Sequence, residues 1–180
     1  MSKRITDLVK IIIASKKDIK IAVDMTVGAG NDSKYILENT QVTRLYGFDI
    51  QKEAEIKAKN LIGFDPRFIF NLASHADIEK YVKEGLDLAI YNLGYLPKGN
   101  KEITTTYQTT IQSLDKTLPI LNKEGIIILT IYPGHPAGKI ESEKIEKYLE
   151  KLDQKKYTTI KITHPTRPHN PPYIIVIERN

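Results

Sequence analysis

A glycine turn early in the sequence has the residue types of a nucleotide-binding site. Residues 23–32 place Gly28 and Gly30 after an apolar run and before a helix-like segment. A turn of this kind exposes backbone N–H groups and leaves room for a ligand to approach the main chain. The dinucleotide-binding pattern is incomplete, because Ser33 occupies the position of its third glycine, so a purely structural tight turn is the alternative. The residues predicted to bind a cofactor at this turn are Asp24, Thr26, Gly28, Gly30, Asn31 and Asp32.

An acidic residue, Asp49, ends the next apolar run and lies 25 positions after Asp24. A carboxylate at the end of a parallel strand can accept hydrogen bonds from both hydroxyls of a ribose. We therefore predict that Asp49, together with Gln51, contacts the ribose of an adenosine. The alternative is that Asp49 caps a helix that begins near Gln51.

The segment after the third apolar run, residues 73–77, offers two further polar side chains. Ser74 and His75 are predicted to face an adenine ring and to hydrogen-bond to its edge. For His75, a position in an exposed surface loop is an equally good interpretation.

An amide and an aromatic side chain follow the fourth apolar run. Asn92 and Tyr95 are separated by Leu93 and Gly94. An amide oxygen and a nearby backbone carbonyl can accept the N–H bonds of an amine and direct its lone pair at an electrophile. Group transfer of this kind needs positioning and a proton acceptor, and no metal-ligand spacing is visible in the sequence. We predict that Asn92 and Tyr95 form the reacting centre, with Asn92 also contacting the cofactor.

The apolar runs that carry these residues alternate with amphipathic segments, which is typical of a parallel sheet covered by helices. Strands are predicted at residues 19–25, 44–49, 67–71, 86–93, 126–132, 157–163 and 173–178. Two helix faces are predicted from apolar residues at spacings of three and four: Ile111, Leu114, Leu118 and Leu121 in one, and Ile145, Tyr148, Leu149 and Leu152 in the other. Gly63 is a predicted helix end.

The last two strands have no helix between them, because residues 164–172 contain four prolines in nine positions. Five strand–helix units followed by an antiparallel hairpin is the chain order of the S-adenosylmethionine (SAM)-dependent methyltransferase fold. The prediction is therefore one domain, residues 1–180, with a Rossmann-like α/β fold. It has a seven-stranded, mostly parallel sheet, a C-terminal antiparallel hairpin and helices on both faces. A nicotinamide-binding domain would more often continue with another strand–helix unit, which favours methyl transfer over hydride transfer.

Three segments, residues 92–97, 101–105 and 132–139, together resemble one family. This is the short bacterial methyltransferase family labelled "putative rRNA methylase" (YtqB-like), also described as the MnmM type of tRNA 5-aminomethyl-2-thiouridine methyltransferase. The likeness covers essentially the whole chain. This sequence differs from many amine methyltransferases at Leu93 and Gly94, which replace two prolines. It also differs from the expected glycine turn, because Met25 and Val27 stand where small or polar residues are expected.

The resemblance implies SAM-dependent methylation of the exocyclic amine of 5-aminomethyl-(2-thio)uridine at the wobble position of tRNA. The ring of Tyr132 or His135 would stack on a flipped-out uracil, and His135 would take the amine proton directly or through water. The alternative for His135 is a histidine of the turn, with no catalytic part. The residues predicted to contact the substrate are Tyr95, Lys98, Lys101, Thr104, Thr105, Tyr132, His135, Lys139 and Arg167. For the threonines the alternative is helix capping, and for each lysine it is a solvated surface position.

Composition sets limits on location and partners. The 27 Lys and Arg against 22 Asp and Glu give a formal net charge of +5, which suits a polyanionic partner but also ordinary solubility. The absence of cysteine excludes disulfides and thiolate metal sites. The N-terminal apolar patch, residues 11–13, is too short for a signal peptide or a membrane span. We expect a cytoplasmic enzyme, a homodimer, with the tRNA anticodon loop as partner and without a membrane or metal partner.

Three other functions remain open from the sequence. Methylation of ribosomal RNA fits the same residues. Methylation of a small-molecule amine is disfavoured by the basic loops and by the lack of long insertions. A non-catalytic SAM-binding module is disfavoured because it would have no need of residues 92–97.

Overall fold

Strands and helices alternate along the chain up to the fifth strand. The computed structural model describes residues 4–94, 105–167 and 170–180. The strands are β1 Ile21–Asp24, β2 Arg44–Asp49, β3 Phe68–Leu72, β4 Leu86–Leu93, β5 Leu121–Ile131, β6 Tyr157–Ile162 and β7 Tyr173–Arg179. The helices are α1 Ile5–Ser15, α2 Asn31–Asn39, α3 Lys52–Ile62, α4 Ile78–Tyr81, α5 Tyr107–Thr117 and α6 Pro136–Leu149, with short 3-10 turns at His75–Asp77 and Leu118–Ile120.

The seven strands form one sheet in the order β3-β2-β1-β4-β5-β7-β6. The first five strands pair in parallel, whereas β7 pairs antiparallel with both β5 and β6. The chain builds outward from β1 to one side and then returns to place β4 on the other side of β1. The connections that follow β1 and β4 therefore diverge, and a crevice opens at the carboxyl ends of these two strands. The predicted mostly parallel sheet with a C-terminal antiparallel hairpin is confirmed.

Helices cover both faces of the sheet. Consecutive residues of a strand point to opposite faces, so Ile90 and Tyr91 of β4 belong to two different apolar cores. The core on the Ile90 side contains the buried stripes of α1 and α2, and the core on the Tyr91 side contains those of α4, α5 and α6. No helix among the described residues is long and apolar enough to cross a membrane.

The boundary between α5 and β5 differs from the prediction. Leu121 was expected on a helix face, but α5 ends at Thr117 and Leu121 begins β5, where it pairs with Leu86. Pro119 explains the difference, because a proline cannot continue an α-helix and here lies in the 3-10 turn that follows α5. The predicted end of α3 at Gly63 is confirmed, with a left-handed φ of 74°.

Candidate active site

Asp24, the last residue of β1, hydrogen-bonds to residues on both sides of the glycine turn from inside the protein. Its side chain is 1% exposed, one oxygen accepts from the Ser33 hydroxyl at 2.6 Å, and the other accepts from the Thr26 N–H at 3.2 Å. Burial, and then the nearby charge of Asp32, raises the pKa of Asp24 to about 7. Asp24 therefore stabilises the turn from the protein interior. Its bond to Ser33 explains why serine stands where the dinucleotide-binding pattern has its third glycine.

Gly30 has a packing reason for being glycine. Its φ is 85°, and an added Cβ would lie 2.9 Å from the Cα of Ala58 on α3. The sequence predicts that a ligand approaches the main chain at this turn. At Gly30 the close approach comes instead from helix α3 of the protein itself. Met25 and Val27, which depart from the expected turn, are buried in the core.

Asp49 links the glycine turn to the end of β2. One carboxylate oxygen accepts from the Gly28 N–H at 2.9 Å and the other from the Gln51 N–H at 2.9 Å. Gln51 is the N-cap residue of α3, so Asp49 does support the start of that helix. Each carboxylate oxygen has a second lone pair, and the half-buried group retains acceptor capacity for hydroxyls. Burial raises the pKa of the Asp49 carboxyl.

Asn92 is held at the end of β4 by the turn after β1. Its backbone N–H donates to the Thr26 hydroxyl at 2.7 Å, and its Nδ2 donates to Asp32 at 2.8 Å. A carboxylate can only accept hydrogen bonds, so the amide nitrogen must face Asp32 and the amide oxygen must face away from it. Asp32 follows Asn31, which is exposed at the start of α2. The structure thus brings Thr26, Asp32 and Asn92 together.

The loop after β5 approaches the same place. Tyr132 directly follows β5, the parallel neighbour of β4, and burial, and then the negative charge of Asp32, raises the pKa of its hydroxyl. Tyr132 is half-buried. Asn92 and Leu93 pair with Thr130 and Ile131, so the end of β5 lies beside the end of β4 that carries Asn92.

His135 is the N-cap residue of α6, and its Nδ1 accepts from the Gly138 N–H at 3.0 Å. In a neutral imidazole that accepts at Nδ1 the proton is on Nε2, so the basic nitrogen is already engaged by the helix. An added Cβ at Gly138 would lie 2.2 Å from the Tyr132 carbonyl oxygen and 2.8 Å from His135 Nε2, so glycine is required for this close fit. The geometry favours the interpretation of His135 as a turn and capping residue over a proton acceptor.

His75 lies in the core. The residue is 8% exposed, its ring meets that of Tyr91 edge to face at 5.9 Å, and burial lowers its pKa to about 4. This burial contradicts the alternative of an exposed loop, and the adenine contact stays a prediction. The neighbouring Ser74 accepts from the Ala76 N–H at 3.2 Å and caps the 3-10 turn.

The substrate-side residues are divided between described and undescribed parts of the chain. Tyr95, Lys98, Lys101 and Thr104 lie outside the described residues. Lys139 and Arg167 are exposed and line one groove between α6 and the β6–β7 loop. Helix α5 is capped by Thr106, while Thr105 bonds to Gly94 and to Glu141.

Glu141 on α6 was missed by the sequence analysis. It is 4% exposed and accepts from the hydroxyls of Thr105 at 2.9 Å and Thr110 at 3.2 Å. The signal was present, because Glu141 is the one charged residue at the start of the stripe continued by Ile145 and Leu149. No group of three His, Cys, Asp or Glu that could hold a metal ion occurs among the described residues.

Comparison with known proteins decides which family this site belongs to. The family model described as "Putative rRNA methylase" matches residues 45–178. The chain belongs to this family. The chain is similar to a protein from Clostridium thermocellum described as a "putative rRNA-methylase": the two sequences are 30% identical, and the crystal structure of that protein matches with a TM-score of 0.94 over 100% of both chains. A methyltransferase from Streptococcus mutans, solved in complex with SAH, is 29% identical with a TM-score of 0.88, again over 100% of both chains.

The chain is also similar to a curated plant protein. The "tRNA (mnm(5)s(2)U34)-methyltransferase, chloroplastic" of Arabidopsis thaliana is 31% identical over 172 residues, which are 87% of this chain. The chain spans 62% of the length of that relative. The chain therefore shares its family and its fold with methyltransferases.

Proposed function

We propose that this protein uses SAM to methylate the nitrogen of the 5-aminomethyl group of (2-thio)uridine at position 34 of tRNA, giving the 5-methylaminomethyl form. The observation that carries the proposal is the oriented amide of Asn92 at the end of β4. The printed name of the Arabidopsis relative supports the choice of substrate.

The residues around the glycine turn suit SAM. Asp49 offers two half-buried carboxylate oxygens with spare lone pairs, which fits a pair of vicinal hydroxyls. The carboxylate of Asp32 lies between this turn and Asn92 and supplies negative charge where a cationic ligand would lie. When bound, SAM supplies an electrophilic methyl group.

Asn92 has the task of aiming the amine. With Nδ2 committed to Asp32, its amide oxygen is the atom left to accept an N–H bond from the aminomethyl group. Accepting that bond turns the nitrogen lone pair toward the cofactor side of the crevice. Because His135 Nδ1 is engaged in capping α6, we assign the protein a positioning part and leave the amine proton to the solvent.

The RNA would be held by the loops around the crevice. The half-buried ring of Tyr132 suits stacking on an uracil taken out of the anticodon loop. Lys139 and Arg167 are cations on one groove and suit contacts with the phosphates of the same loop. A cytoplasmic location and a homodimer belong to the same proposal, and sedimentation of the purified protein tests the dimer.

The test is a methyl-transfer assay with SAM and bulk tRNA from cells that lack this protein, with the nucleosides measured by mass spectrometry. Conversion of 5-aminomethyl-2-thiouridine to its N-methyl form is expected with the wild type and not with Asn92→Ala. Ribosomal RNA from the same cells is assayed in parallel. Methylation of ribosomal RNA alone, by a protein that binds SAH, would overturn the substrate assignment.

A further inference from the structure

A buried carboxyl group next to the site has no part in the function proposed so far. Glu141 lies on α6 and is 4% exposed, and burial raises its pKa. Its two oxygens accept from two hydroxyls, that of Thr105 just before α5 and that of Thr110 on α5. Burying a carboxyl is costly unless its oxygens are satisfied, so these two bonds set how α6 lies against α5.

Thr105 connects this carboxyl to the end of β4. The Thr105 hydroxyl accepts from the Gly94 N–H at 2.8 Å, and the Thr105 N–H donates to the Gly94 carbonyl at 3.0 Å. A hydroxyl has one proton, and the Thr105 hydroxyl donates it in a hydrogen bond to Glu141. The three groups form a chain with one direction, from the Gly94 N–H through Thr105 to Glu141, and bonds in such a chain strengthen one another.

The position of Gly94 makes this chain relevant to the reaction. Gly94 is two residues after Asn92, and Glu141 is on the helix that His135 caps. One carboxyl group therefore joins the end of β4, the start of α5 and the helix that follows Tyr132. By contrast, the groups suited to SAM, Asp49 and the Gly28 turn, are at the ends of β2 and β1.

We infer that Glu141 is a positioning residue for the methyl acceptor, acting through Thr105 on Gly94 and Asn92. The inference rests on the proposed amine-aiming part of Asn92. It predicts that loss of Glu141 affects use of the RNA and leaves binding of the cofactor intact.

The experiment compares Glu141→Ala, Glu141→Gln and Thr105→Val in the full chain. Glu141→Ala and Thr105→Val are expected to lower kcat/KM for RNA by at least about tenfold and to leave the Kd for SAH within about twofold. Glu141→Gln keeps an acceptor oxygen for Thr105 and is expected to restore most of the activity. Glu150→Ala, an exposed glutamate at the end of the same helix, is the matched control.

A second measurement is independent of catalysis. Amide hydrogen exchange is expected to be faster at Gly94 in Glu141→Ala and Thr105→Val than in the wild type, and unchanged across residues 24–32. If the wild type methylates no RNA, the proposed function fails while the exchange result still decides the Glu141 link. Equal losses of SAH and RNA binding, or unchanged exchange at Gly94, would overturn the inference.

Discussion

At the scale of single residues, the Asp32–Asn92 pair determines which chemistry the end of β4 can do. The side-chain amide oxygen of Asn92 faces away from Asp32 because the amide nitrogen donates to Asp32 at 2.8 Å. An aspartate at position 92 would offer two acceptors, but it would also face a second carboxylate. This protein therefore depends on an amide at a position where an acid would otherwise serve.

This pair predicts a rescue by exchange. Asn92→Asp is expected to lose at least about tenfold in turnover, because two adjacent carboxylates repel and one must take a proton. Adding Asp32→Asn restores a donor opposite the new carboxylate, and the double variant is expected to recover turnover. The measurement is single-turnover methylation of tRNA, with SAH affinity followed in parallel. A double variant no better than Asn92→Asp would contradict the orienting part of Asp32.

The raised pKa of Asp24 predicts how the stability of the unliganded protein depends on pH. The unfolded chain loses this proton near 3.8, whereas the folded protein retains it up to about 7. Between these values the folded state binds more protons, so the contribution of Asp24 to stability falls as pH rises, by at most about 1.4 kcal/mol per pH unit.

The check is denaturant unfolding of wild type and Asp24→Asn from pH 4 to pH 8. The asparagine cannot ionise, so the difference in unfolding free energy should move in favour of the variant as pH rises to about 7 and should then level off. Parallel curves would mean that Asp24 titrates at its ordinary pKa in the folded protein.

At the scale of elements, α2 and α3 are locked together at Gly30. Gly30→Ala would put a Cβ 2.9 Å from the Ala58 backbone at a φ of 85°, and we expect it to lower the free energy of unfolding by about 1–3 kcal/mol. Gly134→Ala is the control, since the nearest atom to its added Cβ is at 3.9 Å, and a change within about 0.5 kcal/mol is expected. Similar losses in urea unfolding for both variants would show that the contact with α3 is unimportant.

The sequence predicts the helices and strands better than it predicts the side-chain contacts of the candidate active site. The succession of strands along the chain follows from apolar runs bounded by Gly, Asp and Pro, and the turn at residues 28–30 follows from its glycines, because both are local patterns. Partners distant in sequence are not local. The ring of His75, in a 3-10 turn, packs against Tyr91 of β4, and the bonds of Glu141 depend on threonines more than 30 residues away. The amide direction of Asn92 likewise requires knowing that Asp32 lies opposite.

At the scale of the whole molecule, a lysine contributes to the salt dependence of RNA binding only where its side chain contacts a phosphate. Lys139 lines the groove beside α6, whereas the exposed Lys147 near the end of the same helix does not. For an anticodon stem-loop RNA, Lys139→Ala is expected to reduce the slope of log affinity against log salt by about 0.7–0.9, as for one lost phosphate contact. Lys147→Ala is expected to leave the slope unchanged. Equal slopes for all three proteins, by fluorescence anisotropy, would exclude Lys139 from the RNA interface.

The order of β5, β7 and β6 in the sheet bears on how the sheet forms during synthesis. β6 leaves the ribosome before β7, yet in the sheet β7 lies between β5 and β6. Until β7 arrives, β6 has no neighbour in the sheet and the isoleucine-rich edge of β5 stays open. An open apolar edge invites pairing with other chains and attracts chaperones and proteases. A message truncated anywhere before residue 173 would therefore yield a product that exposes this edge, since β7, which pairs with both β5 and β6, is made after both of them.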